Sequence, residues 1–406
     1  MKYRISILFL LCYFLIGCEN TNISPGQADS FIKFFGNSFQ DIGFDVKQCD
    51  DGGYVLIGTT TKVEINEGKG TAKDTEIFLV KTDKYGNEEW SKQFGGPYDD
   101  QGYSLQITGD GGYILLGART DTLPNGEQHT DMYLVKTSGS GEEEWHQSIG
   151  GPFNEEGFNI QLTTAGGFIL VGYTESFGNG GKDAYLVETN ENGDTLWTRT
   201  HGDSGSDEIG KFVQEISTGF ILIGSTDTDD PGQANKNVFV VKTNSIGKET
   251  ARKNYGGTGD DFGECIRLLP EGGYVFVGTS SSFGDGSSKI YLVKIGENLE
   301  EVTIQNNTIG GSGNYLGKCI SVSENNEFTI IGSSGTTGNY DIYLVKTDSN
   351  GNEIFHQTYG GTGSQQGEHL EPTDDGGFII VGSNEFGGNS MISLIKTLPD
   401  GELNAD

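Results

Sequence analysis

Five acidic residues recur at one position of a repeating sequence, two residues before a glycine and 53 to 59 residues apart. They are Asp41, Asp100, Glu155, Glu208 and Asp261. Carboxylates are ligands that Ca²⁺ takes in proteins, so acids gathered on one face would attract a cation such as Ca²⁺ or a basic partner. The same side chains could instead cap the backbone N–H groups of their own glycine turns. The sequence leaves both interpretations open.

A second set of residues stands two and four positions after the same glycines. Its charged candidates for ligand binding are Lys47, Arg267, His369 and Glu371. The residue three positions after each glycine is apolar, beginning with Val46. Such alternation is typical of a strand that packs on one face and meets a polar space on the other. The charged set therefore predicts a ligand site, although side chains that satisfy one another around enclosed water would give the same pattern.

The elements that position these residues come from a sevenfold repeat. A turn followed by an aromatic residue recurs seven times from Tyr54 to Phe378, at spacings of 50 to 59 residues. Each repeat contains four short stretches rich in β-branched and aromatic residues, separated by turn sequences such as GDGG and DKYGN. Four antiparallel strands repeated seven times predict an all-β fold, a seven-bladed β-propeller. The first strand of each blade would line a central channel, which is where the charged set is expected.

The first and last repeats are each incomplete. The sequence FIKFFG at residues 31–36 matches a fourth strand with no strands before it, and the last repeat ends after its third strand, SLIKT. The N-terminal strand is therefore predicted to complete the last blade and close the ring, which removes exposed sheet edges. Trp90, Trp145 and Trp197 share one repeat position, where we expect a wedge between neighbouring blades. The longest insertion, residues 61–75, is expected to be a flexible surface loop.

The N-terminus carries a targeting signal. MKYR is followed by the apolar run ISILFLLCYFLIG and then by Cys18. The sequence Leu15-Ile16-Gly17-Cys18 resembles the lipobox of bacterial lipoprotein signal peptides. The resemblance implies a signal peptide at residues 1–17 and lipidation of Cys18. Together with the repeats, it divides the rest of the chain into a lipidated tether at residues 18–29 and a propeller at residues 30–403. It also implies a location in a bacterial cell envelope, expected at the outer membrane, with the lipid as the sole membrane attachment.

The repeats themselves resemble known propeller repeats. The motif in which GN precedes a tryptophan is similar to the tryptophan-docking repeats of quinoprotein-like propellers. The DGGY and YLVKT sequences are similar to a DGGYILVG…DxYLVKTD repeat family of bacterial and archaeal envelope proteins. These resemblances imply the fold and do not specify an activity.

Charge and motif content narrow the function. The chain has 58 acidic and 26 basic residues and a net charge of −32, which disfavours nucleic acid as a partner. The sequence contains no HExxH, nucleophile elbow, phosphate loop or CxxC motif. Cys265 and Cys319 share a repeat position in neighbouring blades. There we expect two small buried thiols, since the Cα atoms of such pairs tend to exceed the limit of about 7 Å for a disulfide.

The sequence therefore favours a monomeric, lipid-anchored scaffold without catalytic activity that binds an envelope protein or a glycan at one face. The alternative is a carbohydrate-active or quinoprotein-like enzyme that uses the mouth of the central channel. A carboxylate pair for glycoside cleavage stays open because acidic residues are abundant. Ca²⁺ is the one cofactor that the sequence raises.

Overall fold

The computed structural model describes residues 29–37, 39–66, 69–123, 126–227, 235–305 and 307–404. These residues form seven antiparallel sheets arranged as the blades of a β-propeller, and they contain no helix. None of them therefore belongs to a helix that could cross a bilayer. The predicted fold class is confirmed. The predicted signal peptide, Cys18 and nearly all of the tether lie outside the described residues.

The strands follow one another in chain order, from the channel outward within each blade. Blade 1 contains β2 (Ile42–Gln48), β3 (Tyr54–Asn66), β4 (Lys69–Thr82) and β5 (Glu88–Phe94). Blade 2 contains β6 (Asp100–Ile107), β7 (Tyr113–Thr122), β8 (Gln128–Thr137) and β9 (Glu143–Ile149). Blade 3 contains β10 (Glu155–Leu162), β11 (Phe168–Thr174), β12 (Asp183–Thr189) and β13 (Thr195–His201). Blade 4 contains β14 (Glu208–Ile216), β15 (Gly219–Asp227), β16 (Lys236–Thr243) and β17 (Glu249–Tyr255).

The remaining blades vary the pattern at their outer edges. Blade 5 contains β18 (Asp261–Leu268), β19 (Tyr274–Ser280) and β20 (Lys289–Ile295), and its outer strand is divided into β21 (Glu301–Val302) and β22 (Thr308–Ile309). Blade 6 contains β23 (Asn314–Val322), β24 (Phe328–Thr336), β25 (Asn339–Thr347) and β26 (Glu353–Tyr359). Blade 7 contains β27 (Gln365–Pro372), β28 (Phe378–Phe386) and β29 (Asn389–Thr397), and β1 (Phe31–Phe35) is its outer strand.

The N-terminal strand closes the ring, as the incomplete repeats predicted. β1 pairs antiparallel with β29, from Phe31 opposite Lys396 to Phe35 opposite Ile392. The innermost strands form a closed circuit, because each contacts the innermost strands of both neighbouring blades and β27 returns to β2. Closure leaves the last blade with a full set of four strands.

The tryptophans pack between blades as the shared repeat position indicated. A Cβ placed on Gly141, in the outer turn of blade 2, would lie 2.6 Å from Cζ3 of Trp90 in blade 1. Gly141 also has a φ of +75°, so the turn favours glycine for its backbone as well. The indole of Trp90 lies 6.0 Å from the ring of Tyr113, measured between centroids. Each wedge therefore needs a bare glycine in the next blade.

Between blades 4 and 5 the large side chain and the small one are interchanged. The wedge position of blade 4 is Ala251, and the facing turn of blade 5 has Leu299 where the other turns have glycine. Leu299 is 1% exposed and keeps a φ of +63°, which is unusual for a residue with a branched side chain. Leu299 and Ala251 belong to one hydrophobic cluster. We therefore expect Leu299 to fill, from blade 5, the space that a tryptophan of the preceding blade fills at other interfaces.

This exchange predicts a compensating pair of substitutions. Leu299→Gly should lower the free energy of unfolding by roughly 1–3 kcal/mol, since the loss of a buried leucine outweighs the relief of positive φ. Ala251→Trp alone should also destabilise, because the indole would overlap Leu299. The double variant should be more stable than the two losses added together imply, by about 1 kcal/mol or more in denaturant unfolding. Strictly additive losses would show that the two positions do not share one space.

The prediction of a loop at residues 61–75 is wrong for residues 61–66 and 69–75, which form strands. β3 and β4 continue past the body of the blade as a long hairpin, with residues paired as far as Asn66 opposite Lys69. The segment KVEIN alternates β-branched and polar residues, which favours strand pairing over a loop. The outer strand of blade 5 is divided between Val302, where β21 ends, and Thr308, where β22 begins.

Candidate functional site

A β-bulge in each innermost strand builds one end of the central channel. In blade 1 the pairing register jumps from Gly43 to Asp45, so Phe44 is the extra residue of the bulge. The same irregularity follows the leading glycine of the other six blades. A glycine is required there because the strand approaches the preceding blade. A Cβ on Gly102 would lie 2.8 Å from the carbonyl oxygen of Gly58.

The bulge turns the residue after each leading glycine toward the channel. These seven residues surround a cavity of about 160 Å³, which we call the channel mouth. They are, in ring order, Phe44, Tyr103, Phe158, Lys211, Glu264, Lys318 and Glu368. Three consecutive blades thus contribute aromatic rings and the next four contribute alternating positive and negative charges. All seven side chains are partly exposed.

The aromatic half of the mouth is a continuous packed arc. The ring centroids of Phe44 and Tyr103 lie 5.1 Å apart, as do those of Tyr103 and Phe158, and both pairs meet edge to face. The Tyr103 hydroxyl bonds to the side chain of Gln101 and donates to Glu156 Oε2 at 3.3 Å. Such edge-to-face packing holds each ring in a defined orientation. The arc is therefore a preformed apolar wall with a polar rim.

The charged half is only partly neutralised within itself. Lys318 Nζ lies 3.3 Å from Glu368 Oε2 and 3.8 Å from Glu264 Oε1. These two carboxylates raise the pKa of Lys318, and burial raises the pKa of Glu368. Lys211 Nζ lies 3.6 Å from the centre of the Phe158 ring, a cation–π contact. Burial lowers the pKa of Lys211, so this ammonium is less stable than an exposed one.

A buried network lies directly below the mouth. Asp45 Oδ2 accepts hydrogen bonds from Ser104 Oγ at 2.9 Å and from Leu105 N–H at 3.0 Å, both in the next blade. Asp45 Oδ1 lies 3.1 Å from Nδ1 of His369 and 3.0 Å from Nζ of Lys47. Burial alone would raise the pKa of Asp45, but the charges of Lys47 and His369 lower it. This carboxylate joins blades 7, 1 and 2 around the channel.

The four charged residues predicted for the channel line a second cavity of about 220 Å³, farther along it. Lys47 Nζ is 2.5 Å from Glu371 Oε1, and His369 pairs with Asp45 as described above. The guanidinium of Arg267 lies 4.2 Å from the centre of the Phe212 ring. The structure therefore brings all four together in one space but pairs three of them within the protein. These contacts favour the interpretation of side chains that satisfy one another.

The five recurring acids are buried in the turns that precede the innermost strands. Each carboxylate accepts a backbone hydrogen bond from a residue four or five positions earlier: Asn37 to Asp41 (2.6 Å), Gly96 to Asp100 (2.5 Å), Gly151 to Glu155 (2.7 Å), Asp203 to Glu208 (3.1 Å) and Gly257 to Asp261 (2.8 Å). Burial raises the pKa of Asp100 to about 6. The geometry favours the capping interpretation. Binding of Ca²⁺ stays a prediction, and among the described residues no three His, Cys, Asp or Glu side chains are placed to hold a metal ion.

A larger groove of about 500 Å³ lies between blades 2 and 3, among the turns that follow the innermost strands. Trp145 and the half-exposed Leu162 line it. Lys136 Nζ, which also lines it, is already 2.9 Å from Asp110 and 3.1 Å from Glu144. The mouth is the stronger candidate for a site because all seven blades converge on it.

The residues of the mouth were missed by the sequence analysis. In a strand with strict alternation, the residue directly after the leading glycine shares a face with the apolar residue two positions later. That face packs between the blades. One signal contradicted that assignment. Four of the seven residues, Lys211, Glu264, Lys318 and Glu368, are charged and could not pack between blades without partners. A charged residue beside a recurring strand glycine is a readable sign of a bulge.

The fold and the channel define a β-propeller protein, and solved propellers are similar to it at low identity. An ulvan lyase of polysaccharide lyase family PL25 superposes with a TM-score of 0.56 over 92% of this chain and 98% of its own, at 10% identity. The WD40 domain of Neurospora crassa Pan2 gives 0.52 over 88% and 89%, at 11% identity. YCF48 bound to a D1 peptide gives 0.50 over 91% and 98%, at 11% identity. At these identities the likeness shows the fold alone.

In sequence, the chain is similar to the regulatory protein FlaEY of Caulobacter vibrioides, with 24% identity over 307 residues. The match covers 63% of this chain and 32% of FlaEY, so the chain spans about a third of that protein's length. No protein-family model matches the chain. The resemblance to a particular repeat family therefore stays a prediction.

Proposed function

We propose that this chain is a lipid-anchored propeller of the bacterial envelope that binds an uncharged glycan at the channel mouth. The observation that carries the proposal is the mouth itself, where an aromatic arc from three blades faces alternating charges from four. The described residues that converge there come from the same position of every repeat. A repeated scaffold thus presents seven side chains of four kinds to one small space.

The chemistry of the mouth matches a neutral sugar. Aromatic faces carry a negative quadrupole that attracts the weakly positive C–H groups of a sugar ring. Sugar hydroxyls both donate and accept hydrogen bonds, and alternating Lys and Glu side chains offer both partners around one ring. The cavity of about 160 Å³ is smaller than the ~300–1,000 Å³ of pockets that enclose whole small ligands. It would therefore take a single sugar unit of a longer glycan.

A protein segment is the other ligand that the mouth could take. An aliphatic or aromatic side chain would fit the arc, and a propeller of similar fold, YCF48, has been solved with a bound D1 peptide. We favour the glycan because an aliphatic or aromatic side chain would leave the Lys and Glu side chains opposite the arc without hydrogen-bond partners, whereas sugar hydroxyls would pair with them.

A carbohydrate-active enzyme is the second candidate function. Glu264 and Glu368 both contact Lys318, and burial raises the pKa of Glu368. Glycoside hydrolysis uses two carboxyl groups that flank the scissile bond, one of them with a raised pKa. Glu368→Gln separates the two functions. If the protein is an enzyme, the wild type should cleave a bound glycan and the variant should not. If it is not an enzyme, neither the wild type nor the variant should cleave any glycan.

The experiment that tests binding is a glycan array probed with residues 19–406, which retain the complete ring of described blades. Envelope extracts from bacteria and a peptide library would be probed in parallel. Capture of neutral glycans supports the proposal. Binding confined to peptides would replace the glycan with a protein segment, and binding to neither would remove the proposed function.

The lipid anchor is tested separately. Residues 1–28, which include Cys18, lie outside the described part of the chain. Cells that express the full chain should incorporate radiolabelled palmitate into it, since Cys18 follows an apolar run and the sequence LIG. Cys18→Ala should abolish the label, whereas Cys49→Ala, a change at a buried thiol of the propeller, should keep it. Equal labelling of the Cys18→Ala variant would contradict the anchor.

A further inference from the structure

Two cysteines meet at the base of the channel mouth. Cys265 in β18 and Cys319 in β23 hold the same position in neighbouring blades, and their Sγ atoms lie 3.5 Å apart. Both are free thiols, with exposures of 1% and 2%. The expectation of two small buried thiols holds for their burial, but the two sulfurs are in direct contact. Both residues also line the cavity of the mouth.

The surroundings of the pair favour a thiolate. Arg267 Nη2 donates to Cys319 Sγ at 3.7 Å, which places a positive charge beside the sulfurs. Burial alone would raise the pKa of Cys265, but the neighbouring Cys319 thiol and the charge of Arg267 outweigh it and lower the pKa to about 7. Burial raises the pKa of Cys319. One attacking thiolate beside one protonated thiol is the arrangement that thiol–disulfide exchange requires.

We propose that Cys265 and Cys319 form a redox-active dithiol that reacts, through the channel mouth, with small-molecule disulfides. The product is a disulfide that links blades 5 and 6. The proposal does not depend on whether the mouth also binds a glycan, because it rests on the sulfur contact and on Arg267.

The reaction proceeds in two exchanges. The Cys265 thiolate attacks one sulfur of the small disulfide RSSR, the S–S bond breaks, and one RS⁻ leaves. Cys319 then loses its proton and attacks the Cys265 sulfur of the mixed disulfide, and the second RS⁻ leaves. Two electrons pass from the protein dithiol to RSSR, which becomes two RSH after taking up two protons. The two Sγ atoms must approach from 3.5 Å to about 2.05 Å for the bond to form.

Oxidation would also act on the mouth. Glu264 and Lys318 directly precede the two cysteines and belong to the charged half of the ring. A covalent link between their neighbours would hold these two blades together at that point. The dithiol is thus placed where its redox state can alter the charged half of the site.

The test uses residues 19–406 in the reduced, folded state, incubated with oxidised glutathione and analysed by mass spectrometry with peptide mapping. We expect an intramolecular disulfide between Cys265 and Cys319, and no modification of Cys49. Cys319→Ser should instead trap glutathione on Cys265, because the second thiol is missing. Arg267→Met should slow the reaction several-fold by removing the positive charge, while Lys253→Met, a change on an outer strand, should leave the rate unchanged.

Three outcomes would overturn the proposal. The first is that all three cysteines stay free in folded protein and react only in denaturant. The second is that Cys49, whose pKa burial raises to about 11, reacts first. The third is that the Cys265→Ser and Cys319→Ser variants both react with oxidised glutathione as fast as the wild type does. A serine variant that fails to fold does not decide the matter, because the wild-type peptide map gives the pairing by itself.

Discussion

Deletion of residues 29–36 is expected to abolish cooperative folding of the propeller. The deletion removes β1, which pairs along its whole length with β29 and supplies the buried ring of Phe35. It also removes Phe31, whose ring lies 6.0 Å from that of Tyr54 in blade 1 and packs on Gly86. Loss of one buried phenylalanine costs about 3–5 kcal/mol, and whole domains are stable by roughly 5–15 kcal/mol. The shortened chain should show no sharp melting transition and should aggregate through the open edge of blade 7.

A matched pair of point variants isolates the closing contact. Phe35→Ala should lower the free energy of unfolding by about 3–5 kcal/mol, since Phe35 is 6% exposed and packs in the cluster between blades 7 and 1. Phe34→Ala, one residue earlier and 41% exposed, should cost about 1 kcal/mol or less. Both would be measured by denaturant unfolding. A deletion variant that melts like the wild type, or equal losses at the two positions, would contradict closure by β1.

Phe158→Ala is expected to weaken glycan binding by at least about 30-fold. Phe158 ends the aromatic arc, contacts Tyr103 and carries the ammonium of Lys211 on its face. Its removal takes away a wall of the mouth and frees Lys211 at the same time. Central aromatic residues of binding sites commonly contribute about 2 kcal/mol or more, which corresponds to that loss. The measurement is isothermal titration of residues 19–406 with the neutral glycan that binds most tightly on the array.

Phe153→Ala is the control for that variant. Phe153 belongs to the same blade and lies 59% exposed in the turn before β10, outside the residues of the mouth. It should change affinity less than twofold, and the melting temperatures of both variants should be recorded to exclude unfolding. Equal losses of affinity at Phe158 and Phe153, or none at either, would exclude the mouth as the site.

Much of the fold could be predicted because the repeat states it seven times. The spacing of the aromatic turns gave seven blades, and the unmatched strand at residues 31–36 gave the closure, which the pairing of β1 with β29 confirms. The extended hairpin of β3 and β4 could not be predicted in the same way. It occurs in one repeat, so its alternation of Val63 and Ile65 with polar residues had no parallel to support it.

The candidate site was harder to predict because it depends on an irregularity. Alternation placed Lys47 and Glu371 correctly on the channel, but it could not show that they would pair with each other at 2.5 Å. The bulge after the leading glycine breaks the alternation, and it is the bulge that brings Phe158 and Lys318 to the mouth. Side-chain partners across blades are also set by ring closure, which joins residues more than 300 positions apart, such as Lys47 and Glu371.

Hydrogen–deuterium exchange with and without the bound glycan tests the function of the mouth most directly. We expect slower exchange of backbone amides in the innermost strands beside Phe44, Tyr103 and Phe158, and little change elsewhere in the described blades. Protection that instead falls on the groove between blades 2 and 3, around Trp145 and Leu162, would contradict the channel mouth as the binding site.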